Sequence, residues 1–305
     1  MIETPAALTP IAAEVEALPG RGALGAVLAY CRRNPALVIG LAMVLALLLF
    51  GLLGPLVVDV RRAQPTSEIP SLAPSLENPL GTDDQGRDLL AVMVRGVPLT
   101  LRIGFLAGAV GLGIGVVLGL LAGFRGGWVD ALIRVCVDML LTIPGLLVLI
   151  TISASIRTYI SVDIMALVIA SLAWRHPTRV VRSQVLTLRE RAYVQVARLS
   201  GMNTFDIIAR EIVPNLLPFL AASFVGAVAF AILASIGLEA LGLGPQNDPT
   251  LGMTIYWAIH FNALLRGLWW WWGPPILVIV TLFIGLFLVS TGLDEIANPR
   301  LRRQA

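Results

Sequence analysis

Lysine is absent from this sequence: all 22 basic residues are arginine, a bias best explained by a GC-rich coding sequence. Charge in general is scarce. Only 13% of the 305 residues are charged, against about 25% in an ordinary soluble domain. Cysteine is nearly missing, and Cys31 and Cys136 form neither a CxxC pair nor a disulfide framework. His176 and His260 stand alone, so no metal-ligand set is visible. There is no Gly-x-x-x-x-Gly-Lys-Ser/Thr phosphate loop and no nucleophile–base set, which excludes ATP hydrolysis and other enzymatic chemistry within the chain. A cleavable signal peptide is not expected either, because Glu3, Glu14 and Glu16 occupy the place of its basic opening.

What is abundant is apolar. Hydrophobic residues make up 57% of the chain, and the mean hydropathy is +0.85. They gather into long runs that need lipid around them. The net charge of +3 does not indicate nucleic acid, since the arginines flank apolar segments, as membrane topology requires. The reading is an all-α integral membrane protein of about six transmembrane helices.

Residues 1–35 form a polar N-terminal segment, taken as cytoplasmic. Residues 36–58 are a charge-free run of 23 residues, long enough at about 1.5 Å per residue to cross about 30 Å of hydrocarbon. Residues 59–98 carry five prolines and several acids and read as an external loop. The core, 99–293, holds five further spans. The second, 99–124, repeats glycine every four residues at Gly111, Gly115, Gly119 and Gly123, a spacing that lets helices approach closely in lipid. The third follows FRGGWVD and continues to residue 156. The fourth, 159–174, is short and contains Asp163, so hydropathy alone leaves it either a span or a surface helix. The fifth is 216–238 and the sixth 273–293, followed by a cytoplasmic tail, 294–305. With this topology fifteen arginines lie inside and seven outside. That split obeys the positive-inside rule, supports the fourth span and puts both termini in the cytoplasm.

The loop at 175–215 is the most informative segment. Its helical run reaches Leu199, Gly201 breaks it, and Asn203 or Thr204 can cap a second short helix. That helix sets Phe205, Ile208 and Ile212 on one apolar face and ends at Pro214. Two short helices joined at a glycine offer another protein a docking surface.

The stretch RERAYVQVARLSGMNTFDIIAREIVPN, residues 189–215, resembles the cytoplasmic loop of binding-protein-dependent ABC importer permeases. The signature of that loop is Glu-Ala-Ala, three residues, Gly, ten residues, then Ile-x-Pro. Here Gln195, Val196 and Ala197 precede Gly201, and Ile212 and Pro214 close the pattern; Gln195 takes the place of the acid and Val196 of an alanine. NPLGTDDQGRDLLAVMVRG (78–96), GGWVDALIRVCVDMLLTIPGLL, LGLGPQ (241–246) and GLDEIANPRLR (292–302) resemble the "C" subunit of the dipeptide, oligopeptide and nickel permease family. The resemblance implies a type I ABC importer permease fold in a prokaryotic plasma membrane. The implied partners are a sister permease, two cytosolic ATPase subunits and an external substrate-binding protein. ATP and Mg would sit on the partner subunits, with no cofactor in this chain. Short peptides are the implied cargo; oligosaccharides and nickel chelates are the alternatives within the family. A membrane channel or scaffold without an ATPase is the competing class.

Three further groups invite a role. Gly81, Thr82, Asp83, Asp84, Gly86, Arg87 and Asp88 are either a solvated loop or a contact for the binding protein. Glu239 follows the fifth span and is either pore-facing or interfacial, because a carboxylate at the membrane is costly without water or a partner. Trp269, Trp270, Trp271 and Trp272 are either an interfacial aromatic belt or a surface on which sugar rings stack.

Overall fold

The computed structural model describes residues 33–297. The polar lead with Cys31, Arg21 and Arg32, and the tail with Arg300, Arg302 and Arg303, lie outside the described residues. Among the described residues the regular structure is helical, apart from one isolated bridge between Thr82 and Asp88.

Helix α1 (Pro35–Leu53) opens with proline at its first turn, where no N–H is needed. Most of its apolar side chains are exposed, as expected of a lipid-facing span. Two 3₁₀ turns (Gly54–Leu56 and Val60–Ala63) lead into an irregular segment ending at Asp88. Helix α2 (Leu89–Arg125) then begins ten residues earlier than the loop boundary expected from the sequence. Its start is fixed by Asp88, whose carboxylate accepts from the N–H groups of Leu90 and Ala91. Pro98 lies inside α2. Its ring faces Gly51 of α1, where a methyl group would stand 2.7 Å from Cδ.

The third span is not one helix. Helix α3 (Gly127–Thr142) and helix α4 (Gly145–Ser155) meet at 84°. Pro144 confines Ile143 to extended backbone (φ −83°, ψ 127°), which ends the first helix. Helix α5 (Val162–Ala173), capped by Ser161, is the short fourth segment. It is buried against α2 and α4. Helices α6 (Arg175–Leu188) and α7 (Ala192–Leu199) follow.

Helix α8 runs unbroken over Thr204–Ala240. Pro214 therefore does not end a short helix, contrary to the sequence expectation. Just before it the backbone widens into a π turn (Ile207–Ile212), with the N–H of Val213 donating to the carbonyl of Ile208. The wider turn admits a ring that would clash with a carbonyl in regular α geometry. Helix α9 (Leu251–His260) and helix α10 (Trp269–Ala297) complete the chain. Four of these helices are long and apolar enough to cross a membrane, and the bent α3–α4 pair makes a fifth. With the short α5 they give the six segments expected.

Small residues set the packing. The glycine stripe of α2 lies against α5 and α6: methyl groups at Gly111, Gly115, Gly119 and Gly123 would meet Ala173, Pro177, Val181 and Val185 at 2.5–2.8 Å. Gly40 of α1 likewise meets the carbonyl of Gly285 in α10, at 2.7 Å. The main core is built from α2, α4, α5 and α8.

Candidate coupling surface and membrane cleft

The turn between α7 and α8 is held by backbone geometry. Gly201 adopts φ +79°, the left-handed region, and its N–H donates to the carbonyl of Arg198. The N–H of Met202 donates to the carbonyl of Ala197. Asn203 then caps α8, its side-chain oxygen accepting from the N–H of Asp206. The inner side of this elbow is packed: Val194, Ala197, Ile207, Ile212 and Leu216 are buried with Val181 and Val185 of α6. The outer side exposes Val196 (60%), Leu199 (89%) and Phe205 (76%).

This geometry redistributes the residues singled out in the sequence. Phe205, Ile208 and Ile212 do not form one presented face, because Ile212 is fully buried and Ile208 half-buried. The π turn shifts their register, and Val196 and Leu199 join Phe205 at the surface instead. Gln195 is turned inward, its Nε2 donating to the carbonyl of Arg189 at 3.4 Å.

The elbow sits on a braced frame. Arg182 of α6 makes a two-pronged pair with Asp130 of α3. Arg189 Nη1 donates to the carbonyl of Gly123 at 2.9 Å, and the Arg198 guanidinium lies over the Phe124 ring at 5.3 Å. These contacts tie α2, α3, α6 and α7 together.

A cleft of 960 Å³ opens at the α3–α4 bend. Its walls come from the bend, the α5–α6 junction, α8 and the end of α10, and are mostly apolar. Polar groups reach it at Arg175, His176, Ser223, Ser290 and Asp294. Arg175 is the group sequence reading missed. Its place in 175–215 predicts a cytosolic arginine, yet it is buried. Its Nη1 donates to the carbonyl of Leu140. That carbonyl would pair with residue 144 in a continuous helix, and Pro144 has no N–H to give. The pairing of Pro144 with a charged residue at an apolar helix end was the available signal.

The segment 81–88, expected to be either a solvated loop or a binding-protein contact, is folded into an internal clamp and is largely buried. Gly81, Thr82, Asp83, Gly86, Arg87 and Asp88 are buried. Asp83 accepts from the N–H groups of Gln85 and Arg87 and from Arg87 Nε at 2.6 Å. Asp88 caps α2 and lies 3.2 Å from Arg62. Asp84 and Gln85 are partly open to solvent, and Asp84 pairs with Arg266.

Glu239 is likewise neither pore-facing nor interfacial: it is 0% exposed. Its carboxylate accepts from Ser235 on its own helix and from Thr250 at 2.6 Å, so it staples α8 to the start of α9. The tryptophans open α10 rather than forming a platform. Trp271 is fully buried and stacks on Phe261 (centroids 6.0 Å apart). Trp270 and Trp272 pack beside it, and Trp269 alone is exposed. The tryptophan run, which offered a stacking surface for sugar rings, is thus mostly packed inside. Outside the spans, Tyr159 donates to Asp248 at 2.6 Å; burial, with this bond, pushes its pKa up to about 12.

Comparison with known proteins gives four likenesses. The profile of the family described as binding-protein-dependent transport system inner membrane component matches residues 115–303. A dipeptide transport system permease protein of Alkalihalophilus pseudofirmus is 30% identical over 273 residues, covering 89% of this chain and 88% of the relative. An oligopeptide transport system permease protein of Mycobacterium tuberculosis is 33% identical over 183 residues, 60% of this chain and 63% of that one. Among solved structures, an inward-facing methionine ABC transporter superposes with a TM-score of 0.53 at 21% identity, over 68% of this chain and 95% of that one.

Proposed function

Because the chain belongs to the binding-protein-dependent transport system inner membrane component family, we propose that it is one permease subunit of an ATP-driven importer of short peptides. It forms half of the translocation pathway with a sister permease, receives cargo from an external binding protein and is driven by two cytosolic ATPase subunits. ATP and Mg belong to those subunits. Both termini are cytoplasmic, in a prokaryotic inner membrane. The peptide assignment follows relatives named for dipeptide and oligopeptide transport.

The observation that carries the coupling role is the elbow at Gly201. Val196, Leu199 and Phe205 are apolar yet exposed on a rigid turn between membrane segments, which is the mark of a protein contact. Around them Gln195, Ala197, Gly201, Ile208, Ile212 and Pro214 set the shape of the elbow. An ATPase that grips this triad displaces α8 directly, and a bistable assembly biased by nucleotide then alternates the cleft between faces.

The test is Gly201→Val in the assembled importer. A β-branched residue at positive φ costs about 1–2 kcal/mol and reshapes the turn. ATPase subunits should copurify poorly with the variant and ATP-dependent peptide uptake should be lost, while the chain remains inserted in the membrane. Normal copurification with normal uptake would refute the coupling role.

A further inference from the structure

Arg175 is 6% exposed. Its Nε donates to the carbonyl of Leu172 at 2.9 Å and its Nη1 to that of Leu140. Both acceptors are neutral. Among the described residues no Asp or Glu forms an ion pair with it. A buried guanidinium without a counter-charge is costly, and proteins retain such groups where a charge is to be met. The remaining guanidinium nitrogen, Nη2, makes no hydrogen bond among the described residues. It is directed at Gly145, where a methyl group would stand 2.7 Å away. Arg175 and Gly145 both line the 960 Å³ cleft. Glycine at 145 leaves the guanidinium edge open to that space, and the latch to Leu140 keeps the side chain from swinging out to solvent.

The cleft otherwise offers apolar walls such as Leu146, Phe230 and Leu233, with Asp294 as its acidic group. Asp294 is exposed, and among the described residues it forms no ion pair with Arg175. A volume of this order accommodates a small solute that buries most of its surface. The fixed cation selects the chemistry of one end.

We propose that Arg175 is a specificity-determining residue of the passage, its guanidinium receiving the carboxylate of the transported solute. The inference rests on the importer reading above and adds to it the group that the passage recognises. The carboxylate compensates the buried charge while the solute is in the cleft, and the solute leaves when rearrangement of the α3–α4 bend withdraws Arg175 from it.

The experiment uses the complete importer, with sister permease, ATPases and binding protein, in proteoliposomes. Trialanine with a free C-terminal carboxylate is compared with trialanine amide, each at a concentration that saturates the binding protein. Uptake of the two forms is read as a ratio within each variant, so differences in the amount of assembled importer cancel. The wild type should favour the acid form about tenfold, the scale of one charge-assisted hydrogen bond. Arg175→Gln keeps an amide donor for Leu140 and should bring the ratio near one; Arg175→Lys should retain a preference for the acid. Equal uptake of both forms by the wild type, or an unchanged ratio in Arg175→Gln, overturns the inference while leaving the importer reading intact. Background uptake of both forms by the wild type overturns the peptide reading itself, and this inference with it.

Discussion

Asp84 joins the 59–98 segment to the loop before α10 through Arg266, and it also accepts from Ser71. Burial acts to raise its pKa, but hydrogen bonds from Arg266 and Ser71 outweigh it, so the carboxyl titrates below its ordinary 3.8. A carboxyl depressed on folding adds stability above its unfolded value and loses it as pH falls through the folded one. Hydrogen exchange in residues 66–84, corrected for intrinsic rates, should therefore accelerate as pH drops from about 5 to about 3. Asp84→Asn should exchange faster at pH about 5 and lose that dependence. Identical pH profiles in both proteins would count against the clamp. Its neighbours show what residue-level reading cannot see. A run of acids among prolines announces a polar loop, but nothing local reveals that Asp83 and Arg87 pair with one another in the interior. Glu239 misled for the same reason, since its partner Thr250 lies beyond a turn that sequence periodicity does not bridge.

The spans are largely legible because lipid forces long apolar runs; their breaks are not. Pro144 sits inside an apolar stretch whose hydropathy runs straight through the 84° bend. Pro98 misled in the other direction: it was read as part of a loop, yet the helix accommodates it against Gly51. The glycine stripe was visible as a period, although its partner α6 was not. That stripe can be tested by contrast. A side chain at Gly119 would press on Val181 at 2.8 Å, whereas Gly113 of the same helix has nothing within 4 Å. In the isolated chain, Gly119→Leu should cost about 1–3 kcal/mol or more and lower the thermal midpoint in detergent, and Gly113→Leu should be nearly neutral. Equal losses at both positions would mean that the close approach of α2 to α6 is not what the glycines serve.

For the molecule as a whole, orientation is the property most open to direct measurement. With Cys31 and Cys136 replaced, a cysteine at Leu76, which is fully exposed, should react with an impermeant maleimide from outside the cell. A cysteine at Phe205 should react only once the cytoplasm is opened. Reversed reactivity at either position would invert the arrangement. The family was legible from motif order and spacing, but the cleft was not, because it assembles residues 141–146, 172–181 and 219–237 that no motif joins. The uninterrupted helix of Thr204–Ala240 has a mechanical meaning of its own. Its 37 residues make a rod of about 55 Å at about 1.5 Å per residue, and a tilt of about 5° carries its far end about 5 Å. The widened turn lies beside the elbow, so give in the backbone is concentrated where the force enters. Downstream the helix behaves as a crankshaft. Under the proposed coupling role, a displacement gripped at Phe205 would arrive at Glu239 and pass through its staple into α9, so the two ends of the rod would turn in step.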